Sequence, residues 1–131
     1  MDHTYRFYRA LCHRMLNEYD KAETLLREEL DEMEAKWGKE GVHHLELLYY
    51  GIVQYEKKEY RKAIETFDWV LRIYPQFSEA QYYKAFCLPY TERYMEAPEL
   101  IQEAIANRKK GYTINEDNAI YERYPYQLRN N

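Results

Sequence analysis

The sequence predicts an all-α protein in which a helical hairpin recurs along the chain. In residues 44–77, apolar side chains recur at three- and four-residue steps, which is the spacing of one face of a helix. A polar turn at residues 57–59 divides this segment in two, and Pro75 ends the second helix because proline has no backbone N–H donor. Ala63 and Ala97 are 34 residues apart, so the pattern returns in the next segment.

The first unit covers residues 3–37 and begins with a helix over residues 4–16. The apolar positions expected on this helix are Tyr5, Tyr8, Leu11, Cys12, Met15 and Leu16. Asp20 is expected to be the N-cap of a second helix, residues 21–36, because aspartate accepts hydrogen bonds from free backbone N–H groups.

The second helix of this first unit is expected to be unusually long. The interval from Ala22 to Ala63 is 41 residues, seven more than the next interval, and seven residues are about two helical turns. Trp37 and Gly38 are expected to close the helix. We expect its acidic run over residues 28–34 to face solvent.

The second unit, residues 44–77, carries a glycine inside its first helix. A glycine at mid-helix costs about 1 kcal/mol relative to alanine, so Gly51 indicates close packing between two helices. Ala63 lies on the apolar side of the partner helix, and Phe67 is expected to fill the space beyond the contact.

The third unit, residues 78–111, has its own boundary signals. Ser78 is expected to cap its first helix, Pro89 to end that helix early, and Gly111 to terminate the second helix. The tail, residues 112–131, is too short for a fourth hairpin. It either covers the last apolar face or binds a partner or the groove of a second copy. The residues expected to cover that face are Ile114, Ile120, Tyr121 and Leu128.

Six residues of the second unit resemble the tetratricopeptide repeat family, whose unit is a 34-residue helix–turn–helix. They are Gly51, Tyr60, Ala63, Phe67, Val70 and Pro75. The sequence departs from the family at Leu47, where tryptophan is common, and at Gln54, where tyrosine is common. The resemblance implies a right-handed α-α superhelix of three hairpins plus a C-terminal capping segment. The length of 131 residues is that of one domain, which we expect to cover residues 1–131.

The same resemblance implies a concave groove lined by the first helix of each unit. Its peptide-binding positions would be Phe7, Leu11, Arg14, Leu48, Tyr49, Ile52, Tyr55, Glu56, Glu79, Tyr82, Tyr83 and Phe86. Leu48 and Ile52 stand where some family members grip a C-terminal carboxylate with lysine and asparagine, so a carboxylate clamp is not expected. The groove favours an apolar or aromatic segment of another protein or peptide, or it is filled by the tail or by a second copy.

Composition limits the classes of partner. The net charge of −4 favours neither nucleic acid nor an anionic membrane, and no apolar run is long enough for a transmembrane helix. The chain holds 16 tyrosines, which suit seams and interfaces because the ring can pack while the hydroxyl stays hydrated. We expect Cys12 and Cys87 to be buried as small apolar side chains without a disulfide bond. Free cysteines are typical of a reducing compartment, so we expect a cytoplasmic protein.

No catalytic motif, cofactor motif or metal-ligand spacing is present in the sequence. The histidines form two adjacent pairs, Cys12–His13 and His43–His44, and adjacent residues of a helix point in different directions, so neither pair has metal-ligand spacing. We therefore expect a protein–protein interaction module and not an enzyme, with no cofactor or metal. The alternatives are a secretion-type chaperone of similar repeat number, a structural homo-oligomer, and a helical enzyme that uses these histidines.

Overall fold

The computed structural model describes residues 3–114, and within them it is helical without any strand. Six α-helices make up this part of the chain. They are α1 (His3–Met15), α2 (Tyr19–Trp37), α3 (His44–Glu56), α4 (Tyr60–Ile73), α5 (Ser78–Cys87) and α6 (Ala97–Lys109). Each helix packs antiparallel against the next along the chain, and α3 also contacts α5. The all-α class is confirmed.

The first two hairpins have the same turn. Asn17 and Lys58 both adopt left-handed backbone angles, with φ of 62° and 65°. The residue after each donates its N–H to a carbonyl five residues back, Glu18 to His13 and Glu59 to Gln54. These positions are 41 residues apart in the sequence, which is also the Ala22–Ala63 interval. The two hairpins are therefore structural repeats at their turns.

This turn also corrects the expected start of α2. The helix begins at Tyr19, its N-cap residue is Glu18, and no side chain makes a capping hydrogen bond. The prediction of Asp20 as N-cap was wrong, because the left-handed residue Asn17 turns the chain into the helix earlier. Asp20 lies instead in the first turn, where an acidic side chain suits the helix dipole.

The prediction that α2 is overlong is confirmed. The helix runs for 19 residues, to Trp37. Gly38 follows with a φ of 79°, and its N–H donates to the Glu34 carbonyl at 2.8 Å. A 3₁₀ turn, Lys39–Gly41, then leads towards α3.

The third hairpin departs from the other two in its connection. Helix α5 ends at Cys87, and two 3₁₀ turns, Leu88–Tyr90 and Tyr94–Glu96, precede α6. Pro89 lies in the first of these turns, and Gly111 follows α6 with a φ of 90°, so both predicted boundaries are confirmed.

The predicted cap of α5 was wrong. Ser78 is the first residue of the helix, and Phe77 holds the N-cap position in an extended conformation. The Ser78 hydroxyl bonds the Glu79 carboxylate at 3.2 Å. The Phe77 ring is fully buried and stacks on Tyr74 with ring centroids 4.8 Å apart, which fixes the chain one residue earlier than the serine pattern indicated.

Small residues lie where the helices approach most closely. Ala22, Ala63 and Ala97 are all buried. A β-carbon added to Gly51 would lie 2.5 Å from Cε1 of Phe67, closer than non-bonded carbon atoms approach in proteins. The prediction that Gly51 permits close packing, with Phe67 filling the space beyond, is confirmed.

The buried face of α1 differs from the predicted one. Phe7, Ala10 and Leu11 are in the core. Of the predicted apolar positions, only Leu11 is buried. The others are exposed: Tyr5, Tyr8, Cys12, Met15 and Leu16. The prediction was wrong for these five because α1 carries two apolar faces and packs with only one of them. The expectation of a buried cysteine is wrong for Cys12 and confirmed for Cys87.

The acidic run of α2 also includes one core residue. Glu29 is completely buried, so the prediction of a wholly solvated acidic face was wrong at this position. Nε of Arg6 lies 3.2 Å from the Glu29 carboxylate, and Nη1 of Arg6 lies 3.1 Å from Glu32. Glu46 of α3 is also buried. Burial, followed by the charge of Glu29 and a hydrogen bond to it, raises the pKa of Glu46 to about 8.

The first residues of the tail attach to α5. The N–H of Ser78 donates to the Tyr112 carbonyl at 2.9 Å, and Ile114 is buried. The other residues expected to cover the last apolar face, Ile120, Tyr121 and Leu128, lie outside the described residues. In the described part of the chain, no helix has both the length and the apolar character needed to cross a bilayer.

Candidate peptide-binding surface

Helices α1, α3 and α5 together carry the twelve residues of the expected groove. Between α1 and α3, the rings of Phe7 and Tyr49 meet edge to face with centroids 5.7 Å apart. Between α3 and α5, the rings of Tyr55 and Tyr83 do the same, also at 5.7 Å. These two ring contacts join α1 to α3 and α3 to α5, so the three helices that carry the expected site residues form one layer.

Burial divides these twelve residues into two groups. Seven lie inside the core: Phe7, Leu11, Leu48, Tyr49, Ile52, Glu79 and Tyr83. Five keep partial exposure: Arg14, Tyr55, Glu56, Tyr82 and Phe86. The reason is the central position of α3, which contacts α2, α4 and α5 and is buried at every residue from 45 to 54. A second polypeptide on this layer would meet the five partly exposed side chains.

Three of these five side chains form a connected aromatic surface. The Phe86 ring lies 6.3 Å from the Tyr55 ring and 6.2 Å from the Tyr82 ring, centroid to centroid. Tyr55 also meets Tyr60 at 6.0 Å, and Tyr60 stacks on Tyr90 at 4.1 Å with an angle of 6° between the rings. Tyr60 and Tyr90 thus extend the surface formed by Tyr55, Tyr82 and Phe86. We call the surface of these five aromatic residues the aromatic patch.

Two members of the aromatic patch do not follow from the sequence. The helical pattern makes Tyr60 an apolar position inside the second hairpin, and it gives Tyr90 no role. The 3₁₀ turn Leu88–Tyr90 projects Tyr90 beside the start of α4. The sequence feature that could have indicated the position of Tyr90 is the Pro89-Tyr90 pair, because a proline that ends a helix turns the residue after it in a new direction.

Two hydroxyl groups of the aromatic patch, those of Tyr55 and Tyr60, have pKa values above the ordinary range. Burial raises the pKa of Tyr55 and also the pKa of Tyr60 above the ordinary value near 10. Neutral phenols can both donate and accept hydrogen bonds. The patch therefore combines apolar ring surface with polar groups that can meet the backbone of another chain.

An ion pair borders this layer on the α1 side. Nε of Arg14 donates to the Glu56 carboxylate at 2.7 Å, and the Arg14 guanidinium lies 5.8 Å from the centre of the Tyr49 ring. The arginine and the glutamate compensate each other, so neither offers a net charge to a ligand.

Glu79 belongs to the expected groove but has a structural set of contacts. Its carboxylate accepts a hydrogen bond from the Thr113 hydroxyl and one from the Ile114 N–H at 3.5 Å. It lies in the first turn of α5, where a carboxylate is stabilised by the helix dipole. Glu79 therefore ties the start of the tail to α5.

The histidines make capping and packing contacts. Nδ1 of His43 accepts a hydrogen bond from the Leu45 N–H at 3.3 Å, at the start of α3. The His43 and His44 rings stack at 5.1 Å, and the His44 ring meets Phe77 edge to face at 5.4 Å. Burial, helped by the charge of His43, lowers the pKa of His44 to about 4. His13 bonds Glu18 of the neighbouring turn at 3.2 Å.

In residues 3–114, no group of three or more histidine, cysteine, aspartate or glutamate side chains is arranged to hold a metal ion. A polar cleft of about 570 Å³ lies between α2, α3 and α4, with Tyr50 and Trp69 in its wall. Two of its three acidic groups, Glu23 and Asp68, are paired with Lys57 and Lys84, at 2.8 Å and 2.7 Å, and the third is Glu65. The cleft walls carry both signs of charge, which favours no particular class of ligand.

No family model, curated protein or solved structure matches this chain. The functional argument therefore rests on the chain's own residues, above all on the aromatic patch and its neutral border.

Proposed function

We propose that this protein is a protein–protein interaction module without catalysis, and that it binds an apolar or aromatic segment of another polypeptide on the aromatic patch. The observation that carries the proposal is the chain of ring contacts from Tyr82 through Phe86 and Tyr55 to Tyr60 and Tyr90, at a surface where these rings stay partly exposed. Tyrosine and phenylalanine are enriched where proteins bind one another, because rigid rings bury much area at low entropic cost.

The charge around the aromatic patch supports an apolar ligand. Arg14 and Glu56 are paired with each other at 2.7 Å. Leu48 and Ile52, which stand at the positions of a carboxylate clamp, are buried. A ligand would therefore gain its affinity from ring contacts and from hydrogen bonds to tyrosine hydroxyls.

The three hairpins would stack as a right-handed superhelix of tetratricopeptide type, with α1, α3 and α5 on the inner side. The repeated turn of the first two hairpins and the close packing at Gly51 support this arrangement. The ligand would cross this inner side as an extended strand or as a helix that presents apolar side chains.

The test uses peptides selected on the protein itself. A phage-displayed library of random peptides is panned on the full chain, and the recovered peptides are measured by fluorescence polarisation against variants. Tyr82→Glu and Phe86→Glu should each weaken binding at least about tenfold, because a charge is placed among the rings. The selected peptides should be rich in aromatic and aliphatic residues.

A matched control comes from Trp37, which is exposed at the end of α2. Trp37→Glu changes the same kind of side chain outside the aromatic patch and should leave peptide affinity unchanged. Circular dichroism should show equal helix content in all three variants. Recovery of acidic or basic peptides alone, or equal binding by Tyr82→Glu and the unchanged protein, would contradict the proposal.

A second candidate function is a structural homo-oligomer. The exposed apolar residues of α1 favour it, because large side chains there have no neighbour within the described residues that covers them. These residues are considered next.

A further inference from the structure

The outward side of α1 presents a stripe of apolar side chains. It consists of Tyr5, Tyr8, Cys12 and Met15 of α1 and of Leu16 in the turn that follows, and we call it the α1 stripe. Tyr5 is 57% exposed, Tyr8 54%, and Met15 and Leu16 68% each, and Cys12 is also exposed. At about 100° per residue, these positions fall on the side of the helix opposite the core residues Phe7, Ala10 and Leu11.

The area of the α1 stripe is large for a surface that meets only water. Monomeric proteins rarely expose contiguous apolar patches above a few hundred Å². Large apolar and aromatic side chains bury about 150–250 Å² each, so four of them exposed by more than half offer on the order of 400 Å². Two such stripes facing each other would remove about 800 Å², which is the size of a small interface and fits a weak dimer that dissociates on dilution.

The spacing of the α1 stripe makes it complementary to itself. Its positions 5, 8, 12 and 15 are separated by steps of three, four and three residues, which read the same in both directions. When two copies of α1 pair antiparallel about a two-fold axis at the level of residue 10, Tyr5 faces Met15 of the second copy, and Tyr8 faces Cys12 of the second copy. A closed two-fold dimer needs such a self-complementary surface.

Charge does not oppose this pairing along its centre. The α1 stripe contains no acidic or basic side chain. The exposed Arg9 lies at its margin, where the two-fold axis brings the Arg9 side chains of both copies to the same edge, so these side chains must extend into water. Arg14, on the same helix, points towards Glu56 of α3 and stays engaged there. The centre of the contact would therefore be apolar and its edge polar, as in known interfaces.

We propose that the α1 stripe is a homodimer interface, formed by antiparallel packing of α1 on the α1 of a second copy. This contact is separate from the aromatic patch, so each surface can be tested while the other is intact.

Light scattering coupled to size exclusion, run over a dilution series of the full chain, gives the first test. The unchanged protein should have the mass of two chains at high concentration and approach one chain on dilution. Tyr8→Glu and Met15→Glu should be monomeric throughout with unchanged helix content, whereas Trp37→Glu should dimerise like the unchanged protein. A monomeric mass for the unchanged protein at every concentration, or a dimer that survives Tyr8→Glu, would overturn the proposal.

Cross-linking at Cys12 tests the geometry. With the two-fold axis at residue 10, the two Cys12 residues are four residues apart along the helix axis, about 6 Å. Their helix axes are about 8–10 Å apart, which a short bismaleimide can bridge. The unchanged protein should give a covalent dimer, and Cys12→Ser should give none because Cys87 is buried. If residues 115–131 or another protein cover the α1 stripe instead, Cys12 should resist the bismaleimide while the protein has the mass of one chain. That result would refute the homodimer.

Discussion

The Phe67 ring occupies the space where a β-carbon on Gly51 would lie, with its Cε1 atom 2.5 Å from that position. Gly51 is in the middle of α3, and Phe67 is fully buried in α4. The missing side chain of one helix thus lets the ring of the other rest against its backbone. This contact fixes the distance between the two helices of the central hairpin, and the buried layer beside the aromatic patch depends on that distance.

Gly51→Ala should destabilise the protein, although alanine is the better helix former by about 1 kcal/mol. Phe67 is surrounded by core residues and cannot yield without moving α3 and α4 apart, and overpacking of this kind costs about 1–3 kcal/mol. After the gain in helix propensity is subtracted, we expect a net loss of up to about 2 kcal/mol in the free energy of unfolding, measured by urea denaturation followed by circular dichroism.

The double variant Gly51→Ala, Phe67→Leu provides the control. Leucine alone at position 67 leaves a space beside Gly51, and the methyl group that alanine adds at position 51 would fill part of that space. The two changes should therefore cost less together than the sum of their separate costs. Strict additivity would show that the ring and the glycine do not limit each other.

Features that depend on local backbone chemistry could be predicted from the sequence. Pro75 and Pro89 end helices because they cannot donate a backbone hydrogen bond, and Gly51 indicates close approach because it is otherwise unfavourable in a helix. The longer interval between Ala22 and Ala63 likewise predicted a longer α2, which has 19 residues against 14 in α4, and the two residues that remain of the seven lie in the connection to α3. All these signals are short in range.

Features that depend on the third dimension could not be predicted. Tyr8 and Leu11 both lie on apolar faces of α1, and only the arrangement of α2 and α3 decides which face is covered. Glu29 belongs to an acidic run and is nevertheless buried beside Arg6, which is far from it in sequence. In the same way, the repeat spacing could assign Tyr49 to the first helix of the second hairpin, but it could not show that the ring is buried.

Lys58→Gly should stabilise the protein. Lys58 has a φ of 65°, a conformation that costs a residue with a β-carbon about 1–2 kcal/mol and glycine almost nothing. Part of the gain is lost because glycine gives the unfolded chain more freedom. We expect an increase of about 0.5–1 kcal/mol in the free energy of unfolding, measured by urea denaturation.

Lys62→Gly is the matched control for this change. Lys62 is also an exposed lysine, but it lies inside α4, where glycine costs about 1 kcal/mol. The two substitutions should therefore shift the unfolding midpoint in opposite directions. A shift of the same sign in both variants would mean that the strain at residue 58 does not limit stability.

Glu46→Gln should remove a pH dependence from the stability of the protein. In the folded state burial, and next the charge of Glu29, raise the pKa of Glu46 to about 8 from an ordinary value of 4.5. Between these two values the folded protein holds a proton that the unfolded chain has released, so the free energy of unfolding falls as pH rises. The contribution is complete below about pH 4.5 and lost above about pH 8, with a slope of at most about 1.4 kcal/mol per pH unit.

Glutamine imitates the protonated carboxyl, which donates one hydrogen bond towards Glu29 and carries no charge. The variant should therefore match the unchanged protein in mild acid and exceed its stability above about pH 8, as measured by urea denaturation at a series of pH values. The depressed pKa of His44 affects both proteins equally, so it cancels in the difference between them.

Glu65→Gln is the control. It removes an exposed carboxylate of α4 and should leave the pH profile of stability unchanged. A parallel loss of stability by the Glu46→Gln variant and the unchanged protein up to about pH 8 would contradict this prediction. Glu46 would then be ionised in the core, and the buried group of Arg6, Glu29 and Glu46 would need another proton donor.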